Sequence, residues 1–358
     1  MSNSIVIFEH TQASYVGEIF TRFGKGKRHA AILYAEFFRH GKFLKKVEKE
    51  AISLALQIIE ETDISLPFLS LKKEECDTTK FLLRHDGGLE SESVIIPMKS
   101  GMTLCISSQV GCKMGCAFCE TGKLGLLRNF SAKEIVQQVF FAKFQCNAPI
   151  RNIVFMGMGE PFDNWEEVKQ AINILLDPHG FGFGPSRITV STSGDVEGIY
   201  RFMKEMPSAV NLAVSVNAPN DEIRNRIMPV NKTWNMKALK EVLEAYCQDP
   251  RREILVEYVL LQGINDSLEC ADELASYLKG LSVKVNLIPY NSQKKERFSA
   301  PSFADQQAFS KRLQKKGYQT LLRANKGNGI MAACGQLGNI EQRKFLLRQK
   351  RQSLPILE

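Results

Sequence analysis

The chain has 358 residues, 44% of them hydrophobic, with 47 Lys and Arg against 39 Asp and Glu for a net charge of +8. That length accommodates one large α/β domain plus a small accessory one, with a core that needs no disulfide support. No apolar run approaches the roughly 20 residues of a membrane span, and the segment around Glu9 lacks the apolar stretch of a secretory signal; membrane and secreted classes are excluded and a cytoplasmic location is expected.

Residues 1 to about 90 are rich in helix formers. Apolar positions recur at helical spacing in Ala31, Tyr34, Ala35 and Phe38 and again in Ala51, Leu54, Ala55 and Ile58, which predicts a small helical domain. Asp86-Gly87-Gly88 followed by Glu90, Ser91 and Glu92 reads as a turn into an apolar strand over residues 93–97. From Thr103 onward short apolar strands alternate with amphipathic helices, the pattern of βαβ units and a parallel sheet. Strands are expected at residues 104–107, 152–156, 188–190, 211–215, 254–260 and 283–287, and helices at 132–143, 165–176, 236–246, 268–278 and 303–316. The chain thus divides into a helical accessory domain (1–95), an α/β domain (96–340) and a basic tail (341–358); periodicity leaves an open sheet and an incomplete barrel equally allowed.

Positive charge gathers at the two ends. Residues 1–50 hold nine Lys and Arg against five Glu, and residues 341–358 hold five against two. Basic ends around a near-neutral middle suit a phosphate backbone held outside the active site, with solvated surface charge as the alternative.

Ligands of parallel α/β folds gather at the carboxyl ends of strands, and the loops there carry the unusual residues. Nine cysteines, an odd number in a chain without a signal segment, argue for a reducing compartment rather than a disulfide framework. Cys76, Cys146, Cys247 and Cys270 are scattered and read as structural. Cys112, Cys116 and Cys119 form a C-x3-C-x2-C run that can bind three corners of a [4Fe-4S] cluster and leave one iron open. Zinc is the alternative, but zinc sites favour C-x2-C pairs with a fourth Cys or His, which nothing nearby supplies. Gly157-Met158-Gly159-Glu160-Pro161 follows the second strand; its glycines allow close backbone approach to a cofactor and Glu160 can accept hydrogen bonds from one.

The cysteine run, with an aromatic residue before its last Cys, resembles the radical S-adenosylmethionine (SAM) superfamily, whose fold is an incomplete parallel barrel. Ser107-Ser108-Gln109-Val110-Gly111-Cys112, the Gly157–Pro161 block, Ala218-Pro219-Asn220-Asp221, Ile227-Met228-Pro229 and Ala332-Ala333-Cys334-Gly335-Gln336-Leu337 resemble, in order, the RlmN/Cfr family of RNA methyltransferases. That resemblance implies an incomplete (β/α)6 barrel, a cluster whose open iron is chelated by SAM, and two SAM per turnover. Gly159, Glu160, Ser191, Ser215, Val216, Asn217 and Asn291 match SAM-contacting positions. Cys334 matches the methyl-accepting cysteine, Cys105 the resolving cysteine that would leave a disulfide with it, and Glu92 the residue that removes the proton from adenine C2. The implied substrate is adenosine of ribosomal or transfer RNA, methylated at C2, with C8 left open; the implied partners are RNA and an electron donor such as flavodoxin or ferredoxin, the chain acting as a monomer. A non-catalytic RNA-binding assembly factor would not need both Cys105 and Cys334, and the same pair disfavours a small-molecule or protein substrate. The sequence departs from the family at Asn217, where a histidine is usual, at Glu120, where a small residue is usual, and at Lys326 and Gly329, where arginine and aspartate are usual.

Overall fold

The computed structural model describes residues 4–43, 52–291, 297–323, 331 and 335–338. The short strands β1 (Ile5–Val6) and β2 (Thr62–Asp63) pair in parallel and bracket helices α1 (Gln12–Phe23), α2 (Lys27–His40) and α3 (Ile52–Glu60). Thr11 caps α1 by accepting from the Ser14 N–H, and Gly24 ends it in the left-handed conformation (φ 67°), a normal helix stop. Tyr34 and Phe38 of the expected apolar stripe are buried, together with Leu33 and Phe37.

Residues 68–84, expected to be largely helical, instead form a hairpin of β3 (Phe68–Glu75) and β4 (Thr78–Arg84). Cys76 and Asp77 turn it with both φ values positive (44° and 64°), the backbone that matches the twist of an antiparallel pair. The sequence hides β3 because it is an exposed edge strand: Lys72, Lys73, Glu74 and Glu75 replace the alternation of a half-buried strand.

After the hairpin come β5 (Glu90–Met98), β6 (Gly101–Cys105), the small antiparallel pair β7 (Gln109–Val110) and β8 (Arg128–Asn129) around α4 (Glu120–Leu124), and α5 (Ala132–Phe140), which runs on into one turn of π-helix. Then strands and helices alternate: β9 (Ile150–Phe155), α6 (Trp165–Leu176), β10 (Ile188–Thr192), α7 (Val196–Glu205), β11 (Asn211–Ser215), α8 (Asp221–Ile227), α9 (Met236–Tyr246), β12 (Ile254–Leu260), α10 (Leu268–Leu278), β13 (Val283–Pro289), α11 (Phe303–Lys315) and β14 (Gln319–Leu322). One sheet takes the order β14-β13-β12-β11-β10-β9-β6-β5-β4-β3, parallel from β6 to β14 and antiparallel from β6 to β3. Its parallel part is the expected incomplete barrel with a seventh strand, β14, added. Residue 95 falls within β5, which pairs with both β4 and β6, so the hairpin and the parallel strands share one sheet.

One face of the parallel strands is fully covered, as a face packed under helices is: Val190, Leu212, Val214, Ile254 and Val256 are inaccessible, whereas Ser191, Ser215 and Val259 on the opposite face are only partly covered. The amino-terminal helices join the same core through an aromatic cluster. Phe37 stacks on Phe140 of α5 (4.8 Å between centroids), Phe8 meets Phe140 edge-on (5.1 Å) and Phe38 meets Phe181 (4.8 Å). Among the described residues no helix is long and apolar enough to cross a membrane.

Candidate active site at the carboxyl ends of the parallel strands

The chain leaves β6 into a loop fixed by its own polar residues. The Ser107 hydroxyl donates to the Glu92 carbonyl (2.6 Å) and accepts from the Met158 N–H (2.9 Å), joining the exits of β6 and β9. Gly111 (φ 77°) passes so close to the next turn that a Cβ on it would lie 1.8 Å from the Gly125 oxygen, and only glycine fits. Cys112 then donates its N–H to that same oxygen (3.1 Å), and Ala117, inside the cysteine run, donates to the Ile227 carbonyl at the end of α8 (2.9 Å). Cys112, Cys116 and Cys119, with Met114 and Phe118, form one wall of a cavity of about 170 Å³. Burial pushes all three thiols up, Cys112 to about 12, because a thiolate without a compensating cation is costly there. Among the described residues no three His, Cys, Asp or Glu side chains converge on a single point.

The facing wall comes from the ends of β9 to β13. Gly159 (φ 105°) runs against the β7 strand, where a Cβ would meet the Gln109 Cβ at 2.6 Å. The next residue, Glu160, is 3% exposed; its N–H donates to Gln109 Oε1 (2.8 Å), and its carboxylate accepts from the N–H groups of Ser193 (2.8 Å) and Phe162 (3.3 Å). Burial pushes its pKa up to about 7, against the pull of the Ser193 donors. Ser191, Ser215, Asn217 and Asn291 line the same cavity. Val216 is not among the lining residues; its backbone N–H donates to the Glu257 carbonyl (3.1 Å). Asn217 holds a left-handed backbone (φ 56°) that asparagine tolerates better than most residues, and its amide bridges two strands, Oδ1 accepting from the Val259 N–H (2.8 Å).

Two buried charged residues at this site were not singled out from the sequence. Arg224 of α8 is fully inaccessible and donates to the carbonyls of Ser193 (2.6 Å), Ser215 (3.2 Å) and Val216 (3.1 Å) and to Asn231 Oδ1 (2.8 Å), binding together the loops after β10 and β11. Its signal was present: it lies three residues before Ile227 on the apolar face of the helix. Glu257, in the apolar run of β12, also lines the cavity.

The second predicted constellation lies beside the first. Cys105 ends β6 opposite Val94 and packs in a small apolar cluster with Val94, Met158 and Leu337. Glu92 is 2% exposed and pairs with Lys80 (2.7 Å). Cys334, Lys326, Gly329 and the basic tail lie outside the described residues, but the residues just after Cys334 do not: Gly335 lines the cavity and its carbonyl accepts from the Glu120 N–H (2.9 Å), Thr121 Oγ1 donates to the Leu337 carbonyl (2.5 Å), and the Gly338 N–H donates to Glu92 Oε1 (3.1 Å).

A parallel barrel with three cysteines on the loop after its first parallel strand, opposite a Gly-Glu turn after its second, defines a radical SAM enzyme. A family model for the Radical SAM superfamily matches residues 106–275. The chain is 50% identical over 356 residues to the probable dual-specificity RNA methyltransferase RlmN 1 of Protochlamydia amoebophila (strain UWE25), spanning 99% of this chain and 98% of that protein. It is 47% identical over 262 residues to the dual-specificity RNA methyltransferase RlmN of Geotalea uraniireducens (strain Rf4), spanning 73% of this chain and 75% of that one. The crystal structure of a radical SAM methyltransferase from Sphaerobacter thermophilus superposes with a TM-score of 0.84 at 34% identity, covering 93% of this chain and 98% of the other. The chain belongs to the RlmN family of SAM-dependent methyltransferases, and its cofactors are a [4Fe-4S] cluster and SAM. The residues present fit both groups: three thiols on one loop face a cavity that also holds Glu257 Oε1, a buried polar atom without a hydrogen-bond partner among the described residues.

Proposed function

We propose that the chain methylates C2 of adenosine in ribosomal RNA, transfer RNA or both, by way of a methylated Cys334. When bound, the cluster and SAM supply reductive cleavage to a 5′-deoxyadenosyl radical, with electrons from a flavodoxin- or ferredoxin-like donor and two SAM consumed per turnover. The chain supplies the rest. Cys112, Cys116 and Cys119 hold the cluster; Gly159, Glu160, Ser191, Ser215, Asn217 and Asn291 surround the cofactor, with Val216 behind them; Cys334 accepts the methyl group that becomes bonded to adenine; Glu92 takes the C2 proton; and Cys105 attacks the Cys334 sulfur to release the RNA as a Cys105–Cys334 disulfide forms. The basic residues before α3 and in the tail would grip the phosphate backbone.

The observation that carries this reading is the grouping of Cys105, Glu92 and the segment after Cys334 at the rim of the cavity that holds the cluster cysteines. Leu337 packs with Cys105, Gly338 is bonded to Glu92, and Gly335 lines the cavity itself. The test is mass spectrometry of nucleosides from ribosomal and transfer RNA treated with anaerobically reconstituted protein, SAM and reductant. The expected product is 2-methyladenosine, absent with Cys334→Ala, while Cys105→Ala accumulates a covalent protein–RNA adduct. 8-Methyladenosine, or product that persists in Cys334→Ala, would refute the route.

A further inference from the structure

The run Ile254-Leu255-Val256-Glu257-Tyr258-Val259-Leu260 is a parallel strand fully buried on the face of Ile254, Val256, Tyr258 and Leu260 and partly covered on the other, which carries Glu257; a lone carboxylate buried there is costly unless something hydrogen-bonds it. Glu257 is 4% exposed. One carboxylate oxygen, Oε2, accepts from the Asn286 amide of β13 (2.8 Å). The other, Oε1, has no hydrogen-bond partner among the described residues, and the side chain lines the cavity together with Val259, two residues further along the same face of β12. Glu257 also stands in register with Ser215 of β11, another lining residue. Burial pushes the Glu257 carboxyl up, while the charge of Arg323 and the Asn286 amide act the other way.

An oriented, desolvated acceptor with one vacant position, in the wall of the cofactor cavity, calls for a donor on the ligand. Of the donors SAM offers, its amino group goes to the open iron in the family reading. The adenine edge can be met by amide and backbone groups at the strand ends, such as Asn291. The ribose hydroxyls remain, and pairing of a carboxylate with a ribose hydroxyl is a recurrent solution in nucleotide sites. We propose that Glu257 accepts a hydrogen bond from a ribose hydroxyl of SAM and so fixes the nucleoside end of the cofactor in the barrel. This rests on the reading of the cavity as the SAM site.

The test is anaerobic calorimetric titration, without RNA, of SAM and its 2′-deoxy and 3′-deoxy analogues into reconstituted holoprotein. A hydrogen bond to a charged group is worth roughly 10- to 100-fold in affinity. Wild type should lose about that factor on removal of one hydroxyl; Glu257→Leu should lose a similar factor for SAM and show no further loss with that same analogue. Glu257→Gln, which keeps an acceptor and the packing, should shrink the deoxy penalty without abolishing it, and it carries the test if the Leu variant fails to assemble its cluster. Variants with a complete cluster spectrum that bind SAM as wild type does, or that keep the full deoxy penalty, overturn the proposal alone. Wild-type holoprotein that binds no SAM overturns the underlying reading as well.

Discussion

His85 shows how one side chain is tuned by its surroundings. It is 6% exposed, bonded through Nε2 to Ser91 (2.8 Å), and its Nδ1 lies 3.7 Å from Glu134. That carboxylate already accepts from both Arg128 nitrogens (2.7 and 2.8 Å), so burial wins and pushes the His85 pKa down to about 4. The unfolded chain, with the histidine near 6.5, therefore binds its proton first as pH falls. Stability is complete above pH 6.5 and declines toward pH 4, by an upper bound on the order of 3 kcal/mol. Urea unfolding of the apoprotein at pH 7 and pH 5 should show this slope, and His85→Asn should flatten it; an unchanged slope in the variant would place the effect elsewhere. Legibility at this scale followed local pattern. The three cysteines and the Gly159-Glu160 turn could be read because their spacing is short and their loops follow strands. Glu257 escaped because it is a charged residue inside an apolar strand, and Arg224 because it is one of four charged residues in the seven of α8; what each reaches is brought there by other segments.

At the scale of elements, β4 and β5 together build a clasp. Lys80 of β4 and Glu92 of β5 are 7% and 2% exposed, and around their ion pair Lys80 donates to the Met331 carbonyl (2.9 Å) while Glu92 accepts from the Gly338 N–H (3.1 Å). The pair thus holds the chain on both sides of Cys334. Removing one partner strands a buried charge, so Lys80→Met should cost roughly 3–5 kcal/mol, and the double variant Lys80→Met/Glu92→Leu should recover much of it. Chemical denaturation of the three proteins measures this directly; additive losses would mean that the two residues act independently. Helices α6, α9 and α10 match the sequence reading at both ends because their apolar faces have clean period and their starts are marked. Helix α7 was missed although Asp195 caps it and Val196, Ile199 and Met203 keep helical spacing: its ten residues are few and include Gly198. The hairpin was missed because β3, among the described residues, has one neighbour, and so its sequence obeys solvent more than packing.

For the whole molecule, the aromatic contacts make the amino-terminal helices part of the barrel's own core. Phe37 is 2% exposed and touches Phe8, Phe38, Phe43 and Phe140. Phe37→Ala should cost roughly 3–5 kcal/mol, with far-ultraviolet and aromatic circular dichroism losing signal in one coincident transition. Early loss of the helices with the barrel signals intact would show two cooperative units instead. The sequence announced a parallel α/β body and helices before it, but the sharing of one sheet and one core between them depends on strand pairings distant in the chain, which local periodicity does not encode. Among the described residues the ten-stranded sheet does not close and β3 forms one of its edges, a row of backbone groups open to a strand from another copy. The run Lys72-Lys73-Glu74-Glu75 sets hydrated charge along the second half of that edge, so the same residues that obscured the strand in the sequence should discourage fibril-like association there.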